Sequence, residues 1–282
     1  MRAQSLTAPR SQPLRAAFRH LLYIAGALAA VGPVLWIVSL ALKTRREFTA
    51  EPFGLPESLY LDNFTRVLSD SSMLRFAGNS VITTSISIVV VMIASTMAGY
   101  ALARISFKGS TFLFVLFIMG DAIPLLVVLV PLFVLVHQLG LAGTRWSLIL
   151  PYAAMNMGIT TFLMRGFFRT ISSDLEDAAQ IDGCNLWQLL VFVLLPLVRP
   201  GLLVAAILNF ISYWNEYFLA AILLPSQDLF TLPPGLAATF TGRFATDWPV
   251  MAAGIVLSLL PTLAVFVFAQ DKIIEGWTMS VK

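Results

Sequence analysis

The chain has 282 residues, 58% of them hydrophobic and 12% charged, with a net charge of +3 and a mean hydropathy of +0.85. This composition excludes an ordinary soluble domain, and so small a positive charge gives no sign of a nucleic-acid partner. Cys184 is the only cysteine, which excludes an internal disulfide and a cysteine-based metal site.

Residues 1–20 carry Arg2, Arg10, Arg15 and Arg19 and no acidic residue; residues 21–42 follow without a charge until the next lysine. The apolar run exceeds the roughly 7–15 residues of a cleaved signal peptide and approaches the roughly 20 that cross a bilayer. It therefore reads as a retained first span. Charge-poor stretches recur at 76–103, 111–136, 146–164, 200–224 and 248–270, which makes about six spans. Residues 186–198 are apolar too, but a helix of that length reaches only about 20 Å against a hydrocarbon core near 30 Å. It is expected to lie along the membrane surface.

The Lys and Arg distribution puts the N-terminus in the cytoplasm, with the basic N-terminal segment as its firmest part. Arg104, Lys108, Arg165, Arg169, Arg199, Lys272 and Lys282 then fall on the same side. The outer loop 43–75 holds turn and short-helix signals, Phe53-Gly54-Leu55-Pro56 and Asn63-Phe64. No repeat or low-complexity tract divides the chain, so residues 21–282 read as one membrane domain.

The longest polar interruption of the second half lies between Ser173 and Pro200. Ser173 and Glu176 have the spacing of a capping box, and Asp174, Glu176 and Asp177 place negative charge where the helix dipole favours it. Gly183 suits the left-handed position that stops a helix; Asn185 with Gln188 can start a second, and Pro196 is expected to end it. The prediction is a helix-turn-helix set between the fourth and fifth spans.

Those residues carry a family resemblance. Asp177-Ala178-Ala179, three residues, Gly183, nine residues, Val193, one residue and Leu195-Pro196 resemble the cytoplasmic loop of ATP-binding-cassette importer permeases, whose pattern is Glu-Ala-Ala, Gly and Ile-x-Leu-Pro. Asp177 and Val193 are mild departures. From about Phe53 onward the chain looks like the carbohydrate-importer branch, through Asn79-Ser80, Ala98-Gly99-Tyr100-Ala101-Leu102-Ala103-Arg104, Leu150-Pro151-Tyr152, Arg165-Gly166-Phe167 and Trp214-Asn215-Glu216. The tail departs: Gly276 is followed by Trp277-Thr278-Met279-Ser280-Val281-Lys282 where relatives end Gly-x-x-x-Gly-Ala-Val-Lys, so no tail contact with the ATPase is carried over.

The resemblance implies an all-α integral membrane protein of the bacterial inner membrane, with both termini cytoplasmic and loop 170–199 coupling it to an ATPase. Its partners would be a second permease subunit, most simply as a heterodimer, two ATPase subunits, an extracytoplasmic solute-binding protein, a sugar and membrane lipid. Glu176, Asp177, Ala178, Ala179, Asp182, Gly183 and Pro196 are the expected coupling residues. The sequence holds no Gly-x-x-x-x-Gly-Lys-Ser/Thr phosphate loop, so energy must come from a partner.

Ionisable residues inside spans are costly and are functional suspects by default. Asn209, Ser212, Tyr213 and Glu216 share one helical stripe, and Asp121 precedes Pro124. Asn209, Tyr213, Glu216 and Asp121 either line a path for a hydroxyl-rich solute or bond to neighbouring helices; the residues leave both open. No nucleophile–His–acid set emerges, and His20 and His137 are isolated, so neither catalysis, a metal nor a cofactor is expected. The competing readings are an importer for another solute, such as a polyamine or phosphate ester, and a proton-coupled transporter using Asp121 and Glu216. The latter would need no cytoplasmic lever.

Overall fold

The computed structural model describes residues 12–241 and 246–280, with side chains described over 16–241 and 246–270. Arg2, Arg10, Arg243 and the final Val281-Lys282 lie outside the described residues, as does the side chain of Lys272. Among the described residues all regular elements are helices, joined by loops, apart from one isolated bridge between Thr241 and Thr246.

Helix α1 (Gln12–Ala41) is the first span. Two short helices, α2 (Arg45–Ala50) and α3 (Asp62–Ser69), fold the loop 43–75. Thr44 and Glu47 cap α2 reciprocally. Buried Asn63 donates to the Ala41 and Lys43 carbonyls at 2.9 and 2.8 Å, closing the free end of α1. Lys43, also buried, donates from Nζ to the Glu51 carbonyl at 2.7 Å. The short-helix expectation for this loop holds.

Helix α4 (Ser71–Arg104) is the axis of the bundle, 34 residues with no proline. Its buried face runs through Ser80, Thr83, Ser87, Val91, Ser95 and Gly99, spaced three or four apart. Small and hydroxyl residues let neighbouring backbones close in where lipid offers no hydrophobic drive for helix association. Ser87 and Ser95 donate to the Ile149 and Met157 carbonyls.

The next two spans are bent, which hydropathy does not reveal. Helices α5 (Ser110–Asp121) and α6 (Leu125–Gln138) meet at 100°. Pro124 has no N–H to continue the ladder and biases Ile123 away from helical backbone. Helices α7 (Trp146–Met155) and α8 (Met157–Thr170) are bent by 49° at Asn156, and α8 runs beyond the expected end of the fourth span. Helix α9 (Ser173–Ile181) leads to α10 (Leu186–Leu197), which lies at 77° to α11 (Arg199–Trp214). Within α10, residues Leu189–Leu194 form a wide π turn in which the Leu195 N–H bonds the Leu190 carbonyl.

The fifth span, expected unbroken over 200–224, stops at Trp214 and resumes as α12 (Phe218–Leu223). Helix α13 (Leu232–Phe240) and the long α14 (Trp248–Ser280), which packs along α1, complete the chain. Three helices are long and apolar enough to cross a membrane, or up to six if each bent pair is one span.

Candidate functional site

Helix α9 and α10 form the expected helix-turn-helix, with two corrections to its caps. The N-cap is Ser172, whose Oγ accepts from the Asp174 N–H at 3.3 Å; Ser173 is already the first helical residue. With the cap at Ser172, Glu176 falls one residue past the capping-box position, and its carboxylate instead lies 2.6 Å from Arg104 at the end of α4. The guanidinium N–H is not aimed at that oxygen, so the attraction is ionic rather than a directed hydrogen bond. Arg104 donates from Nη2 to the Ile171 carbonyl at 2.5 Å.

The turn between the helices follows the sequence closely. Gly183 has φ +84°, and the Gly183 and Cys184 N–H groups bond the Gln180 and Ala179 carbonyls, both at 3.0 Å. This is a Schellman closure, which satisfies carbonyls that the helix end leaves free. Asn185 and Gln188 exchange bonds of 2.9 Å in a capping box. Pro196 does not end α10. The five-residue bond just before it widens the turn, displacing the ladder that a proline would otherwise break, and the helix runs on to Leu197.

The pair has an inner and an outer face. Ala179 is buried in an apolar cluster with Leu189, Leu190, Leu194, Met164 and Phe168. Asp177, Ala178, Asp182 and Gly183 are exposed, as are Ile181, Trp187 and Phe192. A capped helix with acidic and large apolar side chains turned outward suits docking against another protein.

A second constellation lies within the bundle. Glu216, in the break between α11 and α12, is buried and accepts from the Leu219 and Ala220 N–H groups at 2.7 and 3.0 Å and from Tyr152 Oη at 2.9 Å. Tyr152 and Tyr213 stack with ring centroids 5.0 Å apart, and the buried Tyr213 hydroxyl has no protein partner. Asn209 donates to Thr160 Oγ1 and the Ala205 carbonyl, and its own oxygen accepts from Asn156. Asn209 and Glu216 thus direct their polar atoms into the protein.

Asp121 stands apart from that stripe. It sits at the α5–α6 bend, facing the backbone of Gly158 and Ile159 at the start of α8. It also lines a cavity of about 380 Å³ whose other walls include Phe117, Leu132, Pro151, Ala154 and Leu219. Sequence reasoning missed Asn156 and Thr160, which sit on the neighbouring bent span, and it quoted Tyr152 and Arg104 within family motifs, Arg104 also as a topogenic charge, without giving either a site role. The signal for Arg104 was its position as the terminal cation of a long span.

Comparison with known proteins agrees with this architecture. Residues 91–273 match the family described as binding-protein-dependent transport system inner membrane component. The chain is 33% identical to the diacetylchitobiose uptake system permease protein NgcG of Streptomyces coelicolor, covering 92% of this chain and 86% of that one. It is 34% identical to the sulfoquinovosyl glycerol transport system permease protein SmoH of Agrobacterium fabrum, covering 95% and 92%. A chain from the crystal structure of a bacterial ABC transporter for the acidic polysaccharide alginate superposes with a TM-score of 0.82 at 25% identity, over 95% of this chain and 99% of that one. The chain therefore belongs to the inner-membrane components of binding-protein-dependent transport systems.

Proposed function

We propose that the chain is a permease subunit of an ATP-binding-cassette importer and carries a sugar or sugar-like solute across the bacterial inner membrane by alternating access. The observation that carries this reading is the α9–α10 pair, a capped helical element mounted on the bundle with an acidic and apolar face outward. The family membership and the sugar-uptake relatives support it. In this reading Asp177, Ala178, Asp182 and Gly183 meet the ATPase. Glu176 and Ala179 hold α9 to the bundle, and Pro196 lies on the adjoining helix. A second permease subunit, two ATPase subunits and an extracytoplasmic solute-binding protein complete the machine, and the N- and C-termini face the cytoplasm.

For the solute, the cavity beside Asp121 is the proposed part of the route. Its largely apolar wall suits the faces of sugar rings, and one carboxylate can accept from hydroxyls. Tyr213, Glu216 and Asn209 are not among its lining residues; in this reading they position the helices around the route.

The test is uptake of labelled sugars into vesicles holding this chain with its co-purified partners. Uptake should stop when ATP hydrolysis is blocked and persist when the proton gradient is collapsed. Uptake that follows the gradient instead would remove the importer reading.

A further inference from the structure

Helix α9 follows α8 after two extended residues, Ile171 and Ser172, yet it is gripped by a different helix. Arg104, the last residue of α4, reaches the Ile171 carbonyl with one nitrogen and Glu176 with another. One guanidinium therefore holds both the segment entering α9 and its first turn. The two side chains are only 17% and 11% exposed. A surface ion pair exchanges readily with water and transmits little force. A largely dehydrated pair resists separation, because parting it leaves a charge buried without its partner.

The rest of the hold on α9 is apolar, through Ala179 against Leu189 and Leu190. Apolar contacts can slide over one another, whereas a charge held at two points cannot. Arg165, another cation at this end, is committed elsewhere, to the Leu102 carbonyl and the Phe114 ring.

What Arg104 belongs to gives the grip its meaning. Helix α4 is about 50 Å long, while the three bent pairs change direction by 49° to 100° along their length. Near its far end Asn79 donates to the Asp228 and Phe230 carbonyls at 2.8 and 3.0 Å, and Ser80 Oγ accepts from the Leu232 N–H at 2.7 Å. A push on α9 thus enters a straight rod whose opposite end is tied to the segment leading into α13.

Resting on the reading of α9 as the ATPase-docking element, we infer that the Arg104–Glu176 pair is the joint that passes displacement of α9 to α4, with Arg104 a positioning residue for transport. The experiment uses the full complex with Cys184→Ser and a nitroxide on Leu74→Cys, an exposed site at the far end of α4. The spectrum is compared without nucleotide and with Mg-ATP and vanadate. With Arg104 and Glu176 intact, nucleotide shifts the spectrum; in Arg104→Gln and in Glu176→Gln the shift is lost. The exchanged pair Arg104→Glu with Glu176→Arg restores part of it, which loss of fold alone would not do.

Arg104→Lys keeps the charge but cannot hold Glu176 and Ile171 together, and should give an intermediate shift. Co-purification of the ATPase at unchanged yield reports assembly of each variant. An unchanged shift in the single variants, an exchanged pair no better than either, or no shift in the parent complex overturns the joint. Failure of any ATPase to co-purify with the parent chain removes the importer reading itself.

Discussion

The Tyr152 hydroxyl donates to the Glu216 carboxylate at 2.9 Å, tying the bent fourth span to the break in the fifth. The same carboxylate caps the two N–H groups that open α12. Glu216→Ala leaves three buried donors unpaired, each worth about 1–3 kcal/mol, and should lower the melting temperature of the protein in detergent sharply. Tyr152→Phe removes one bond and should cost roughly 1 kcal/mol. If Glu216 instead faces the solute, Glu216→Ala will change solute affinity while melting stays put.

At Gly99, on the buried face of α4, the helix lies close against α8. A Cβ there would stand 2.8 Å from Met164 Cβ and 2.9 Å from the Arg165 backbone nitrogen. Neither can swing aside, so Gly99→Val is expected to cost about 1–3 kcal/mol, with Gly99→Ala milder. The yield of assembled complex and its melting temperature check this; a neutral Gly99→Val would mean the helices can separate freely.

Gly183 tests the turn itself. Its left-handed backbone costs a residue with a Cβ roughly 1–2 kcal/mol, and asparagine tolerates it best. Gly183→Asn should retain more ATP-driven uptake than Gly183→Val. Gly183→Asp and Ala179→Glu should separate ATP hydrolysis from uptake, the latter because it thrusts a carboxylate among Leu189 and Leu190. Normal uptake with both would take the coupling role away from this loop.

The cavity beside Asp121 can be filled without touching a charge. Ala154→Phe puts a ring into it and should lower uptake several-fold while leaving assembly intact. Asp121→Asn should weaken uptake less than the filled cavity does. Uptake unaffected by Ala154→Phe would exclude the cavity from the route.

Local chemistry made the loop legible from sequence. Gly183 at the left-handed position and the Asn185–Gln188 capping box are decided within a few residues, and both are as expected. Glu176 shows the limit of such reasoning: the helix starts one residue earlier, at the Ser172 cap, which takes Glu176 out of capping register, and its carboxylate pairs with an arginine from a distant helix. The bends were equally hidden, because hydropathy records how apolar a segment is and not where its axis turns. At 122–124 a proline hinted at the break, whereas at Asn156 and at 215–217 no proline marks it. The partners of Glu216 and Asn209 sit on other helices, beyond the reach of any periodicity within one segment.

The wide turn at Leu189–Leu194 has a consequence for how this chain can change in length. A turn closed by five-residue bonds holds one residue more than an α-helix needs. Removing one residue there should return α10 to regular helix while Leu186–Gln188 and Leu195–Leu197 keep their bearings. Residue loss elsewhere in α10 would turn the following residues about 100° around the axis. This segment can therefore lose a residue with its surroundings in place, and it is where a past insertion would leave its trace.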